Sequence, residues 1–269
     1  MDYSKSLIIG HQRNYMGLSL RRQVKKKLKG VVKNTKYADT FFHALGAKGF
    51  DILDISDYEN ANLLHDLNIP IPQEYKNGYS TVIDVGTVEH VFDAVQAVKN
   101  IRDLCQVGGH VIMMNPANSW LGHGFYQFSP EFFFRAFDHV NGFRVIKIFL
   151  IKKKIFGHAW YVLPDPLTEG RRGTIDTKKP CYIAVIAKKE SDIELSNKPQ
   201  AADYEQVWGT KNLSRFGRIY SELPHIPKLI TEKILIKPLY MYRNRLLNRR
   251  IFFMWEKQNL VLKSIRRND

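Results

Sequence analysis

The stretch that most constrains the fold is residues 81–116, TVIDVGTVEHVFDAVQAVKNIRDLCQVGGHVIMMNP. A short β-branched run is followed by an acidic loop, and residues 91–105 then carry apolar side chains at helical spacing. Gly108 and Gly109 predict a turn after this helix, and residues 110–114 predict a second strand. A strand, a helix and a strand of this length form a βαβ unit, and such units build parallel sheets.

Further elements are predicted on both sides of this unit. Strands are predicted over residues 6–10, 50–54, 61–64, 81–83, 110–114, 143–151 and 181–187, and helical segments over residues 18–46, 91–105 and 131–137. In the central helix, the polar face is predicted to carry Asp93, Gln96, Asn100 and Asp103. Ser129 can cap the last helix, since Pro130 suits the first helical position. Residues 158–180 contain three prolines and predict a long connection at the rim.

The charge of the chain is unevenly distributed. The net charge is +15, and residues 206–269 alone hold fourteen Lys and Arg against four Asp and Glu. The boundaries predicted from this pattern are a folded domain over residues 1–190 and a basic, partly helical C-terminal extension over residues 191–269. An excess of positive charge predicts an anionic partner, although a solvated helix face accounts for basic runs about as often as a binding surface does.

An anionic membrane surface is one partner that the basic extension predicts. Nucleic acid is less favoured, because no RNA-binding module is evident in the sequence. The sequence begins without the pattern of a secretory leader and lacks an apolar run of about 20 residues, the length that spans a bilayer. A cytoplasmic location is therefore expected, with contact at the inner face of a membrane as an alternative. The oligomeric state is left open.

Four acidic residues follow predicted strand ends: Asp54, Asp66, Asp84 and Glu89. In open α/β sheets, ligands bind at the carboxyl ends of the strands. A carboxylate after the second strand can accept both ribose hydroxyls of a nucleoside, and one after the third can accept the adenine amino group. Each residue alone is better explained as a turn or cap residue. The four together favour a nucleoside site.

Candidate catalytic residues are Glu89, His90 and His123. Imidazole titrates near neutral pH, so either histidine could act as a general base. Tyr126 and Gln127 lie in the loop after a strand end and are candidates for contact with the substrate; packing within that loop is the alternative. No metal site is predicted, because no pair of His or Cys residues shows ligand spacing.

Three segments carry a resemblance to a known family: DVGTVEHVFD (residues 84–93), QVGGHVIMMNP (residues 106–116) and HGFYQFSPEFF (residues 123–133). They resemble class I S-adenosylmethionine-dependent methyltransferases, over roughly residues 5–190. The resemblance implies an α/β fold with a Rossmann-like, doubly wound, seven-stranded, mostly parallel sheet and helices on both faces. It also implies S-adenosylmethionine as the cofactor.

The resemblance further implies roles for individual residues. Gly10 and His11 would face the methionine part of the cofactor, and Asp54 would hold the ribose. Asp66 and Leu67 would border the adenine. The cofactor floor would be closed by Asp84 and Gly86, while Glu89 and His90 would lie near the transferred methyl group.

The predicted function is methyl transfer from S-adenosylmethionine to a small-molecule or glycan-precursor acceptor, at oxygen or nitrogen. The loop after the first predicted strand has one glycine, where nucleotide-binding loops usually have several. Two alternatives therefore stay open. One is a methyltransferase-like fold without cofactor binding, acting as a binding or scaffold protein through its basic tail, and the other is an RNA methyltransferase.

Overall fold

A computed structural model describes residues 1–28, 32–153, 158–169, 177, 179–195 and 199–201 of the chain. The strands are β1 (Lys5–Ile9), β2 (Gly49–Asp54), β3 (Leu63–Leu64), β4 (Tyr79–Val85), β5 (Cys105–Asn118), β6 (Phe143–Lys153), β7 (His158–Leu163) and β8 (Cys181–Lys189). The helices are α1 (Leu18–Leu28), α2 (Asp39–Ala44), α3 (Ala94–Leu104), α4 (Pro130–Ala136) and the short α5 (Pro166–Glu169).

The eight strands form one mixed sheet in the order β3-β2-β1-β4-β5-β8-β6-β7. Strands β1 to β5 pair in parallel, whereas β8 is antiparallel to both β5 and β6, and β7 is antiparallel to β6. The predicted α/β class is confirmed. The prediction of seven mostly parallel strands is corrected, because β8 returns between β5 and β6 in the opposite direction and an eighth strand extends the edge.

The eighth strand, β7, lies inside the connection that the prolines of residues 158–180 predict. It forms a hairpin with β6, with Leu163 opposite Ile148 and Trp160 opposite Ile151. The prolines of that connection follow the strand, so they do not interrupt its hydrogen bonding. Apolar residues stand at consecutive positions of HAWYVL, and the alternation that marks a half-buried strand is therefore weak.

Gly108 and Gly109 do not form the predicted turn after the helix. Strand β5 begins at Cys105, directly after α3, and both glycines lie within it. A Cβ atom on Gly109 would stand 2.9 Å from the backbone oxygen of Ser80. The register between β4 and β5 shifts between Tyr79 and Thr81. Glycine is therefore needed here because two backbones approach closely at an irregular strand pairing.

Helices cover both faces of the sheet, as predicted. On one face, Phe42 of α2 packs with Ile8 of β1 and Ile83 of β4. On the other face, helices α3 and α4 pack against alternate residues of the same strands, and Ile101 and Phe133 are fully buried there. Alternate side chains of the central strands point to opposite faces of the sheet, so they contribute to two separate cores. Ser129 caps α4, accepting a hydrogen bond from the Glu131 N–H at 3.3 Å, which confirms the predicted start of this helix.

Asn100 lies in the core rather than on the polar face predicted for α3. Its Nδ2 donates to the backbone oxygens of Leu67, at 3.1 Å, and Ile69, at 2.8 Å, and its Oδ1 accepts from the Ile71 N–H at 3.0 Å. The buried amide therefore fixes the segment that leads from β3 to β4. A polar side chain is stable in this position because its hydrogen-bonding groups are paired.

The described residues contain no helix with the length and apolar character that crossing a membrane requires. The predicted basic extension falls largely on residues 202–269, which lie outside the described part of the chain. The boundary after residue 190 stays a prediction.

Replacement of Arg135 by methionine is expected to lower the free energy of unfolding by about 2 kcal/mol. Arg135 is buried in α4, and its guanidinium binds both carboxylate oxygens of Asp165 at 2.7 and 2.9 Å and Asp138 at 3.0 Å. Loss of the cation leaves three partly buried carboxylates, those of Glu131, Asp138 and Asp165, without it. Urea denaturation measures the change. Arg144→Met removes an exposed ion pair with Glu190 and should change stability by less than about 1 kcal/mol; equal losses in the two variants would contradict the prediction.

Candidate functional site

The site lies where the order of the sheet reverses direction. From β1 the chain proceeds through β2 to β3 on one side, and from β4 it proceeds to β5 on the other. Connections that leave in opposite directions open a crevice at the carboxyl ends of the two central strands, and ligands of doubly wound sheets bind there. Asp54 ends β2, Asp66 follows β3, and Asp84 and Glu89 stand at and after the end of β4. The structure therefore brings the four predicted acidic residues to one edge of the sheet.

The loop after β1 is held against the loop after β4 at Gly10. The backbone of Gly10 has φ +68°, and its N–H donates to the backbone oxygen of Leu53 at 2.8 Å. A Cβ atom here would stand 2.7 Å from Oγ1 of Thr87, which donates to the backbone oxygen of Ile9 at 3.0 Å. Glycine is required at this position by the left-handed backbone and by the close approach of the second loop.

His11 fixes the loop after β1 from the opposite side. Its ring stacks on Tyr37 with centroids 3.5 Å apart, and its Nδ1 and Nε2 lie 2.5 Å from the Glu59 backbone oxygen and 2.9 Å from Asp39 Oδ1. Both partners are hydrogen-bond acceptors, so each ring nitrogen of His11 faces an acceptor. The side chain is therefore engaged within the protein.

Three consecutive backbone N–H groups of this loop are without a hydrogen bond in the part of the chain that the structure describes. The N–H groups of His11, Gln12 and Arg13 have no hydrogen-bond acceptor within the described part of the chain. Neighbouring N–H groups at the carboxyl edge of a sheet suit an anionic ligand group. The loop thus offers donors although it contains a single glycine.

Asp54 and Asp66 differ in how far their carboxylates are already occupied. Asp54 Oδ1 accepts from the Ile55 N–H at 2.7 Å, while its Oδ2 has no hydrogen-bond donor among the described residues. Asp66 Oδ1 accepts from the backbone N–H of Asn68 at 2.9 Å and from its side chain at 2.7 Å, and these hydrogen bonds lower the pKa of Asp66. Leu67 is buried in the core, so its backbone is the part nearest the edge.

Asp84 and Glu89 form a buried pair of carboxyl groups joined by one amide. Nδ2 of Asn115, in β5, lies 2.6 Å from Asp84 Oδ2 and 3.1 Å from Glu89 Oε2. The Thr87 N–H donates to Asp84 Oδ1 at 3.0 Å. Burial raises the pKa of Asp84 to about 7, and the negative charge of Glu89 acts in the same direction against the hydrogen bond from Asn115. Asn115 was not among the predicted site residues. It lies in β5, whereas its partners Asp84 and Glu89 belong to β4 and the loop after it.

The β5–α4 loop (residues 119–129) is attached to Glu89 through its backbone. The Phe125 and Tyr126 N–H groups both donate to the Glu89 backbone oxygen, at 2.7 and 3.3 Å. A Cβ atom on Gly124 would stand 2.7 Å from the same oxygen, and a Cβ atom on Gly86 would stand 3.3 Å from Glu89 Oε1. The loop after β4 and the β5–α4 loop therefore contact each other around Glu89, where glycine leaves room for the close approach.

This attachment brings the three predicted catalytic residues together. Nε2 of His123 lies 3.7 Å from Glu89 Oε1, and the rings of His90 and His123 are 5.0 Å apart between centroids. Glu89 is 1% exposed, whereas both histidines are exposed. Imidazole is the side chain used most often as a general base, so both histidines stay candidates for that role.

Tyr126 and Gln127, the predicted substrate residues, make hydrogen bonds that hold the surrounding loops. The Tyr126 hydroxyl donates to the Phe92 backbone oxygen at 2.6 Å, and Gln127 Oε1 accepts from the Trp120 N–H at 2.8 Å. Contact of these side chains with a substrate stays a prediction.

A cavity of about 630 Å³ opens beside the loop after β1, on the face of the sheet that carries α1 and α2. Its wall is mainly apolar and includes Tyr15, Phe41, Met114 and Trp160, with Arg13 at its side. Cavities of this size and lining bind small molecules. No sequence pattern predicted this cavity, since its wall combines two loops, two helices and strands from distant parts of the chain.

No family model matches the sequence, and no curated protein matches it. Solved structures with a similar arrangement include an S-adenosylmethionine-dependent methyltransferase from Mesorhizobium loti, with 11% identity, TM-score 0.39, and coverage of 70% of this chain and 94% of that one. Another is 1,6-didemethyltoxoflavin-N1-methyltransferase from Burkholderia thailandensis, with 10% identity, TM-score 0.39, and coverage of 70% and 71%. A third is an S-adenosylmethionine-dependent methyltransferase from Archaeoglobus fulgidus, with 14% identity, TM-score 0.38, and coverage of 69% and 86%. Similarities at these TM-scores do not establish the activity of this chain, so its chemistry rests on its own residues.

Proposed function

We propose that the protein transfers a methyl group from S-adenosylmethionine to a small-molecule acceptor, of which a glycan precursor is one class, at oxygen or nitrogen. The observation that carries this proposal is the open carboxylate of Asp54 beside the free N–H groups of residues 11–13, at the reversal point of the sheet. A nucleoside joined to an amino acid needs both an acceptor for its ribose hydroxyls and donors for its carboxylate.

In the proposed complex, each loop takes one part of the cofactor. The backbone N–H groups after Gly10 hold the carboxylate of the methionine part, and Asp54 accepts the ribose hydroxyls. Asp66 and the backbone of Leu67 border the adenine. Asp84 and Gly86 form the floor beneath the sulfonium. The protonation state of Asp84 sets the charge of the protein at this position.

Methyl transfer is an in-line displacement that depends mainly on alignment. The bond from the methyl carbon to sulfur breaks as the bond to the acceptor oxygen or nitrogen forms, and the sulfonium becomes a neutral thioether. The acceptor gives its proton to a base. His90 or His123 takes this role in the proposal, and the buried carboxylate of Glu89, 3.7 Å from His123 Nε2, stabilises the resulting imidazolium.

The apolar cavity supports a small acceptor rather than a macromolecule. Its volume of about 630 Å³ matches that of pockets which enclose a small ligand, and its wall includes Val85, the last residue of β4, and Met114, which pairs with Val85 from β5. An acceptor seated there reaches the same edge of the sheet as the cofactor.

Isothermal titration of the full chain with S-adenosylmethionine tests the proposal. Asp54→Ala is expected to weaken binding at least about tenfold, because it removes hydrogen bonds to a charged acceptor. Asp57→Ala, an equal change of charge at an exposed position in the same loop, should leave the affinity within about twofold, as expected for a charge that makes no contact. Absence of binding at millimolar cofactor by folded wild-type protein would contradict the proposal and favour a binding or scaffold role.

A further inference from the structure

Three side chains at the β4 loop and the β5–α4 loop have the composition of a metal site. One ligand atom each from Glu89, His90 and His123 lies within 4.8 Å of the other two. We infer that these residues bind a divalent first-row transition ion, with the remaining coordination positions open. Neither histidine spacing nor motif predicts this site, because His123 is brought to Glu89 by the fold.

The carboxylate of Glu89 has one oxygen fixed by a hydrogen bond and one oxygen that can bind a cation. Its Oε2 is held by Asn115 Nδ2 at 3.1 Å, and its Oε1 has no hydrogen-bond donor among the described residues, with His123 Nε2 at 3.7 Å too distant for one. A carboxylate oxygen without a hydrogen-bond donor is available to bind a cation. Asn115 then serves as the outer partner that orients the carboxylate, as ligating carboxylates usually require.

The donor set selects the kind of ion. Two imidazoles and one carboxylate suit zinc, manganese, iron or cobalt, whereas magnesium and calcium prefer oxygen ligands throughout. Ligand atoms around such an ion are about 3 Å apart, given bond lengths of about 2.1 Å. Binding therefore requires a small inward movement. The exposed rings of His90 and His123 are free to make this movement, while Glu89 stays fixed by its burial.

Three protein ligands leave positions for water or for a substrate oxygen. For an acceptor hydroxyl, a bound ion would lower the pKa of the coordinated oxygen, and its proton would pass to solvent water. The histidines would then be ligands, in place of the general-base role proposed above. This use of the ion rests on the proposed methyl transfer, whereas binding of the ion itself does not. The Trp120 ring packs against both His123 and Tyr182. Burial raises the pKa of Tyr182, and the negative charge of Glu89 raises it further by a smaller amount.

Titration of the full metal-free chain with Co²⁺, followed by its visible absorption, tests the inference. The wild-type chain is expected to bind one equivalent, and His123→Ala and His90→Ala should each weaken the affinity at least about tenfold. His139→Ala removes an exposed histidine elsewhere and should leave the affinity unchanged. Both site histidines are exposed, so their removal is compatible with folding, which circular dichroism checks.

Two results would overturn the inference: no binding of Co²⁺ by the wild-type chain at millimolar concentration, or equal affinities of the His123→Ala and His139→Ala variants. The titration contains neither cofactor nor acceptor. Titration with S-adenosylmethionine in the presence of a chelator measures cofactor binding separately. Failure of the metal site and failure of the proposed methyl transfer are therefore distinguishable.

Discussion

The stability of the wild-type protein is expected to fall by about 3 kcal/mol between pH 5 and pH 8 through the titration of Asp84. The pKa of Asp84 is about 7 in the folded protein, against an ordinary value of 3.8 in the unfolded chain. The folded state therefore binds the proton more tightly. The stabilisation is fully present below the unfolded pKa, declines as the pH rises above that value, and is lost once the pH passes the folded pKa.

Asp84→Asn isolates this contribution. The variant cannot ionise at position 84, so its stability should vary less with pH than that of the wild type, by about 3 kcal/mol over the same interval. Urea denaturation in a chelating buffer gives the two pH profiles, and parallel profiles would contradict the role assigned to Asp84.

Gly124→Ala is expected to lower the free energy of unfolding by about 3 kcal/mol, the second large effect. The backbone of Gly124 has φ +72°, and an added Cβ would lie 2.7 Å from the Glu89 backbone oxygen and 3.1 Å from its carbon. The left-handed backbone costs about 1 kcal/mol for alanine, and crowding against a fixed backbone adds about 2 kcal/mol. Relief of the clash would also separate the Phe125 and Tyr126 N–H groups from their shared acceptor.

Gly122→Ala is the matched control for this loop. Gly122 also has a positive φ, +81°, but an added Cβ would meet no atom within 4 Å. Its replacement should therefore cost only the backbone part, about 1 kcal/mol. Urea denaturation of the two variants measures the difference. Equal losses would show that the β5–α4 loop is not held against Glu89 as described.

The parts of the fold that local chemistry determines were predicted from the sequence. The β-branched run at residues 81–83 lies within β4, and Ser129 and Pro130 start α4, because these residues act through their own backbone. The edge on which the acidic residues lie was predicted too, since parallel strands bring their carboxyl ends together.

The features that were not predicted depend on contacts between residues that are distant in sequence. Asn100 is buried because the chain that follows β3 passes over α3, and helical periodicity alone places it outside. Strand β7 exists because β6 offers it an edge. The contact of His123 with Glu89 joins two residues that are 34 positions apart in the chain, which spacing rules for metal ligands do not cover.

The proposed function depends most on the binding of the cofactor at the carboxyl ends of β1 and β4. A crystal structure of the full chain with S-adenosylhomocysteine measures this directly. We expect the ribose hydroxyls at hydrogen-bonding distance from Asp54 Oδ2 and the ligand carboxylate at the N–H groups of residues 11–13. A ligand found only in the apolar cavity beside α1 and α2, or crystals without ligand after soaking at millimolar concentration, would contradict it.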